Sequence, residues 1–244
     1  MSIALLHMEI SHPSNAARLM LEHKRLEFDV VRIRPGTQPP VVLAHGFRGI
    51  TVPALKIDGA RIQGTSAIAR ELERRFPEPA LYPSDPARAA RVREAEEWAN
   101  RELQPVPRHV IRLALREDRA ALRSFVGEQQ GFKPAGLIAA VQGPVMRAFL
   151  GRTGGTRESV ERLCRALPEM LDHVDRLIEE GVIGGTERNS ADYQIGTTIK
   201  MMEAFDDLGA QVEGRPAARL AAVWPELDAR FPSTVPAVWL AAGR

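Results

Sequence analysis

Apolar residues in the first part of the chain switch between two spacings, every second position and every third or fourth, and the switches mark elements. Residues 3–6 form an apolar run of strand length, residues 15–24 carry apolar side chains at helical spacing, and residues 28–33 read as a second strand. A Pro/Gly-rich stretch over 34–49 separates these from two further β-prone runs, 54–57 and 61–63. Asp58-Gly59 joins that pair, a strong short hairpin signal. Thr65 then caps a helix in which Ile68, Leu72 and Phe76 recur on one face, with Arg and Glu on the other. The predicted order is βαβαββα.

The pattern changes after residue 80. The proline-rich stretch 77–87 ends in an Asp85 cap with Pro86 at the first helical position, and everything beyond it reads helical. Amphipathic segments are predicted over 88–103, 106–127, 134–150, 158–180, 191–208 and 217–231. Asn189 and Asp192 have the spacing of a capping box at the start of the fifth, a structural role. The expected organisation is an α/β domain over residues 1–80 and an all-α domain over 88–244.

Composition narrows the function. A chain of 244 residues with 44% hydrophobic and 26% charged residues is that of a globular protein. The net charge of +2, spread along helix faces, argues against a nucleic-acid partner. No run approaches the roughly 20 apolar residues of a membrane span, and the N-terminus lacks a signal-peptide pattern, so a cytoplasmic protein without membrane attachment is expected. Cys164 is the one cysteine and lies on an apolar stripe, which makes it a packing residue and leaves no cysteine-based metal site. No clustered His/Asp/Glu ligands, P-loop or Gly-x-Gly-x-x-Gly motif is present, so neither metal nor nucleotide is expected.

Two places carry candidate chemistry. Pro53 opens a strand, where its missing N–H does no harm, and an X-Pro bond admits the cis form at about 0.5–1 kcal/mol. A cis Val52-Pro53 turns the Val52 backbone outward, ready to pair with an extended, peptide-like ligand. Earlier, Ser11, His12, Pro13 and Ser14 make a loop between the first strand and the first helix, whose N-terminal amides favour anions. Ser14 or Asn15 is the expected cap of that helix.

Val52-Pro53-Ala54-Leu55, Asp58-Gly59, Gly64-Thr65 and Ala67-Ile68 together resemble the glutathione transferase superfamily, nearest to its theta and zeta classes. The resemblance implies a thioredoxin-like N-terminal domain that binds glutathione or a similar thiol, followed by an all-helical domain. It places Ser11 at the catalytic serine and Ser14 at the runner-up position. It puts the thiol along Val52 and Pro53, its γ-glutamyl carboxylate at Thr65, and its glycine carboxylate near His45 or Arg48. Gly64 stands where the family carries an acid or amide, and Gln63 is the candidate to compensate. Trp98 falls where acceptor sites are built, and Phe47 lies in the loop that in several classes inserts into a partner subunit.

The implied function is activation of a thiol for transfer to an electrophilic small molecule, as in detoxification, by a homodimer. Thiol-dependent isomerisation of the zeta type, or a non-catalytic binding or scaffold protein on the same fold, are the alternatives. Cysteine-like thiols titrate near 8.5. A hydroxyl donated to a thiolate is worth about 1.5–3 kcal/mol, so Ser11 is expected to lower that value by roughly one to two units.

Overall fold

The computed structural model describes residues 1–117, 148, 150–231 and 235–240. Four strands, β1 (Ile3–His7), β2 (Asp29–Arg32), β3 (Ala54–Ile57) and β4 (Ala60–Gln63), form one mixed sheet in the order β2-β1-β3-β4. β1 and β2 are parallel, while β1–β3 and β3–β4 are antiparallel. Ile57 pairs with Ala60 across Asp58 and Gly59, and both turn residues have positive φ (46° and 87°), the backbone a two-residue hairpin needs.

Alternation along the strands sends side chains to two covers. Ile3, Leu5, Leu55 and Ile57 pack with α1 (His12–His23), α3 (Thr65–Arg75) and the helical half in one large core. Leu6 and Ala54 face the other way, onto Val42 of α2 (Gln38–Ala44) and onto Ile33 and Phe47. The stretch 34–49, which shows no helical signal in sequence, thus holds a short helix. Phe47 is buried within its own chain, so it is not presented to a partner subunit.

Helix starts differ from expectation at two points. α1 begins at His12 with Ser11 as its cap, three or four residues before the expected cap, because Pro13 tolerates a first-turn position where no N–H bond is made. α3 has Gly64 as its cap, at φ 93°, and Thr65 is its first residue.

The helical remainder comprises α4 (Pro86–Trp98), a π-helical turn (Ala99–Leu103), α5 (Pro105–Glu117), α6 (Arg157–Glu179), α7 (Ser190–Glu203), α8 (Asp206–Val212), a 3-10 segment (Pro216–Val223) and α9 (Ala237–Leu240). The helix predicted over 134–150 lies outside the described residues except at 148 and 150, as does the end of the one predicted over 106–127. The segment predicted over 191–208 divides into α7 and α8, and the last prediction, 217–231, is met only by the 3-10 segment. Pro225 stops it there, since a residue preceding proline is driven out of the α region.

α7 is the centre of this half and packs on α1, α4 and the 3-10 segment. Its capping box is formed: Asn189 Oδ1 accepts from the Asp192 amide at 3.2 Å and Asp192 Oδ2 from the Asn189 amide at 2.8 Å. Polar ties join the halves. His23 of α1 bonds Tyr193 Oη at 2.9 Å and the Ala80 carbonyl at 3.1 Å. Ser66 Oγ of α3 donates to Gln194 Oε1 at 3.3 Å, the Gln194 amide donates to Glu96, and Tyr82 Oη donates to Glu96 Oε2 at 2.9 Å. Burial pushes the Glu96 carboxyl up to about 7. Cys164 is buried, and desolvation raises its thiol to about 12, the behaviour of a packed apolar residue. Among the described residues no helix is long and apolar enough to cross a membrane.

Candidate active site

Two turns and a helix start meet at one edge of the sheet. Leu6 of β1 pairs with Ala54 of β3, so the end of β1 lies beside Val52 and Pro53. The chain then turns, with the Ser11 amide on the Met8 carbonyl at 3.0 Å, into α1. From the other side, the Gly64 amide bonds the Pro53 carbonyl at 3.0 Å, which fixes the start of α3 against the same edge. Val52-Pro53 is cis. Val52 makes no backbone hydrogen bond among the described residues, so its N–H and C=O remain open on this edge.

Ser11 is half-buried, and its Oγ accepts from the Ser14 amide at 3.4 Å. That cap uses a lone pair and leaves the hydroxyl proton. Pro13 contributes no amide, so the donors left at this helix start are the Ser11 hydroxyl and the His12 N–H. Asn15 holds the turn in shape: its Nδ2 donates to the Glu9 carbonyl at 2.7 Å and the Ser11 carbonyl at 3.0 Å, and its Oδ1 meets His7 Nε2 at 3.3 Å. Ser14 Oγ is fully buried and has no partner among the described residues, beneath the turn rather than on it.

Gln63 is occupied. Its Nε2 donates to the Thr51 carbonyl at 2.6 Å and its Oε1 accepts from the Gly49 amide at 3.1 Å, so it straps the loop leading into Val52. Thr65 is buried at the head of α3, and a Cβ on Gly64 would meet nothing within 4 Å, which leaves open space beside that helix start. His45 is exposed, and its carbonyl accepts from Arg61 Nε at 3.2 Å. Trp98 ends α4, its ring edge-on to His173 of α6 at 4.3 Å between centroids.

The helical half reaches the Ser11 turn through residues that sequence reasoning passed over. His12 is buried, not solvated, and hydrogen-bonds the backbone of Gln104, just before α5. Burial, then repulsion by Arg108 and Arg112, holds its pKa well below the usual histidine value. The signal available in sequence is the series Arg108, Arg112, Arg116 at one-turn spacing, with no acid on α5 before Glu117.

A thioredoxin-like sheet whose strand-start proline lies beside a capped helix turn, with helices closing over it, is the glutathione S-transferase fold. Residues 5–80 match the family model described as glutathione S-transferase, N-terminal domain. The chain is 34% identical over 97 residues to a probable maleylacetoacetate isomerase 1 of Drosophila melanogaster, covering 36% of this chain and 38% of that protein. It is 32% identical over 126 residues to a maleylacetoacetate isomerase of Pseudomonas aeruginosa, covering 50% of this chain and 58% of that one. These alignments therefore span less than two thirds of either relative. Among solved structures, the maleylacetoacetate isomerase of Anaeromyxobacter dehalogenans 2CP-1, with glutathione bound in its active site, is 21% identical over 93% of this chain and 92% of that one, at a TM-score of 0.57.

Proposed function

We propose that the chain is a glutathione transferase-type enzyme that binds glutathione, or a similar low-molecular-weight thiol, and activates its sulfur for attack on an electrophilic small molecule. Bound glutathione supplies the nucleophilic sulfur. The observation that carries the reading is the convergence, on one edge, of the Ser11 hydroxyl, the open Val52 backbone and the head of α3 beside Gly64. In this reading Val52 pairs with the peptide backbone of the thiol, and Pro53 shapes that edge. The Thr65 amide receives the γ-glutamyl carboxylate, His45 lies at the glycine carboxylate, and Gln63 holds the loop. Ser11, the catalytic residue, donates its proton toward the sulfur. Ser14 supports the turn from below, and Trp98 shapes the helical wall on which the electrophile rests.

Isomerisation assisted by the same thiol is the second reading, favoured by the names of the two curated relatives. Residues 1–80 form the thiol-binding domain and 88–244 the electrophile-binding one. The protein acts in the cytoplasm as a homodimer; the exposed Leu43 and Ile50 support the dimer, and sedimentation measures it.

A spectroscopic titration of the bound thiol tests the proposal. In wild type the thiol of bound glutathione should titrate below its free value. Ser11→Ala should raise that pKa by roughly one to two units and cut turnover at neutral pH about ten- to a hundredfold, with thiol affinity little changed. Bound glutathione that titrates as it does in water would leave a binding protein without thiol activation.

A further inference from the structure

One buried amide, that of Asn15, ties three elements together around the Ser11 turn. Its Nδ2 donates to the Glu9 carbonyl at 2.7 Å and to the Ser11 carbonyl at 3.0 Å. Those two acceptors fix which end of the amide is nitrogen, so Oδ1 faces the other way, onto His7 Nε2 and Arg18 Nε, each at 3.3 Å. Burial is the largest influence on His7, lowering its pKa and keeping the ring neutral. An amide oxygen only accepts, and the neutral ring therefore carries its proton on Nε2. Both donors and both lone pairs of the Asn15 side chain are thus used.

The helix itself does not need this arrangement. α1 is already capped by Ser11 Oγ on the Ser14 amide, and the Ser11 carbonyl already accepts the Asn15 backbone N–H at 3.0 Å. The second donor on that carbonyl comes from the side chain of the same residue, while the Ser11 N–H is bonded to the Met8 carbonyl at 3.0 Å. Both peptide planes flanking Ser11 are therefore held, and the direction of its Cα–Cβ bond with them. On the sheet side, the His7 carbonyl accepts the Ile33 amide at 2.7 Å, and Leu6 pairs with Ala54 beside Pro53. The path from the Pro53 edge to the Ser11 hydroxyl thus runs through β1, the His7 ring and the Asn15 amide. His7 is 5% exposed and Asn15 3%, so a ligand touches neither.

We propose that Asn15, backed by His7, is a positioning residue for thiol activation: it sets where the Ser11 hydroxyl stands relative to the thiol held along Val52. This rests on the thiol-transfer reading of Ser11 and goes beyond it by assigning the groups that hold the hydroxyl in place. A hydrogen bond weakens steeply once its angle falls below about 120°, and a misplacement of about 1 Å lowers a rate on the order of a hundredfold. The position calls for an amide. Asp would present acceptors to two carbonyls, and Ala or Leu would leave the Glu9 carbonyl and the His7 N–H without their partner.

The test titrates the thiol of bound glutathione by its thiolate absorbance in four full-length proteins: wild type, Ser11→Ala, Asn15→Ala and the double variant. Asn15→Ala should raise that pKa by about half to one unit, with glutathione affinity from calorimetry changed less than about threefold. The double variant should match Ser11→Ala within about 0.3 unit, because a hydroxyl that is gone cannot be misplaced. A purely structural Asn15 would lower stability and leave the thiol pKa where it was. An unmoved pKa in Asn15→Ala therefore overturns the proposal, and so does a double variant in which the two shifts add. Should Asn15→Ala fail to fold, His7 carries the same test. His7→Leu should raise the thiol pKa by about half a unit, and His7→Gln, whose amide N–H stands where the ring Nε2–H stood, should recover it. Equal values for the two overturn the proposal. An unmoved pKa in Ser11→Ala itself removes the thiol-activation reading and this inference together, whereas a shift in Ser11→Ala without one in Asn15→Ala removes this inference alone.

Discussion

Glu96 accepts from the Tyr82 hydroxyl and the Gln194 amide, and among the described residues it forms no ion pair. Its pKa, ordinarily 4.5, is raised to about 7 in the fold by burial. Between these values the unfolded chain releases its proton and the folded chain retains it, so the wild type loses stability as pH rises from about 4.5 to 7. Glu96→Gln keeps the shape and removes the titration. Its stability relative to wild type, from urea unfolding, should therefore climb by roughly 1–3 kcal/mol across that window. His7, His12 and His109, whose pKa values are lowered by burial, act in the opposite sense. They stabilise above their unfolded value of 6.5 and lose that contribution as pH falls toward their folded values, but they do so in both proteins and cancel in the difference. Individual residues differ in how legible they are. Asp58-Gly59 declares its turn because the conformation depends on those two residues alone. His12, Gln104 and Arg108 do not, because they meet across more than ninety positions of sequence.

Element boundaries follow the same division. The capping box of α7 is readable because its hydrogen bonds are local, whereas the start of α1 is misplaced by three or four residues because Ser11, Ser14 and Asn15 are all good caps and the turn chooses among them. Gly64 shows a case where backbone conformation explains why a glycine stands at a helix start. At φ 93° a side chain is strained although nothing obstructs it. Gly64→Ala should cost about 1–2 kcal/mol in thermal or denaturant unfolding, purely from backbone strain. A loss well below that would mean the start of α3 relaxes easily, and the open space beside it would then not be a fixed cradle. The 3-10 segment at Pro216–Val223 is the converse: its apolar spacing reads as helix, and only Pro225 indicates that it ends early.

On the scale of the molecule, the sheet and the helices share one apolar core that runs from Ile3 to Leu240. Among the described residues only the opposite face of the sheet has a separate small core, built from Leu6, Met8, Ile33, Val42, Phe47 and Ala54. Heating should give a single unfolding transition by calorimetry, and a fragment ending at residue 80, with the α7-facing side of α1 uncovered, should show none. Two resolved transitions would mean that the halves are held together only by ties such as His23–Tyr193. The thioredoxin-like order and the helical second half are legible because each rests on local periodicity and turn residues. The dependence of one half on the other is not, since it lies in contacts between distant positions. His23 and Tyr193, bonded to each other, are 170 residues apart in sequence. At ribosomal rates of about 5–20 residues per second, that gap takes on the order of ten seconds or more to synthesise. For most of that interval, once β4 is made, the sheet and α1 wait with an apolar face exposed, so the yield of the protein in a cell should depend on whatever shelters the nascent first half until α7 arrives.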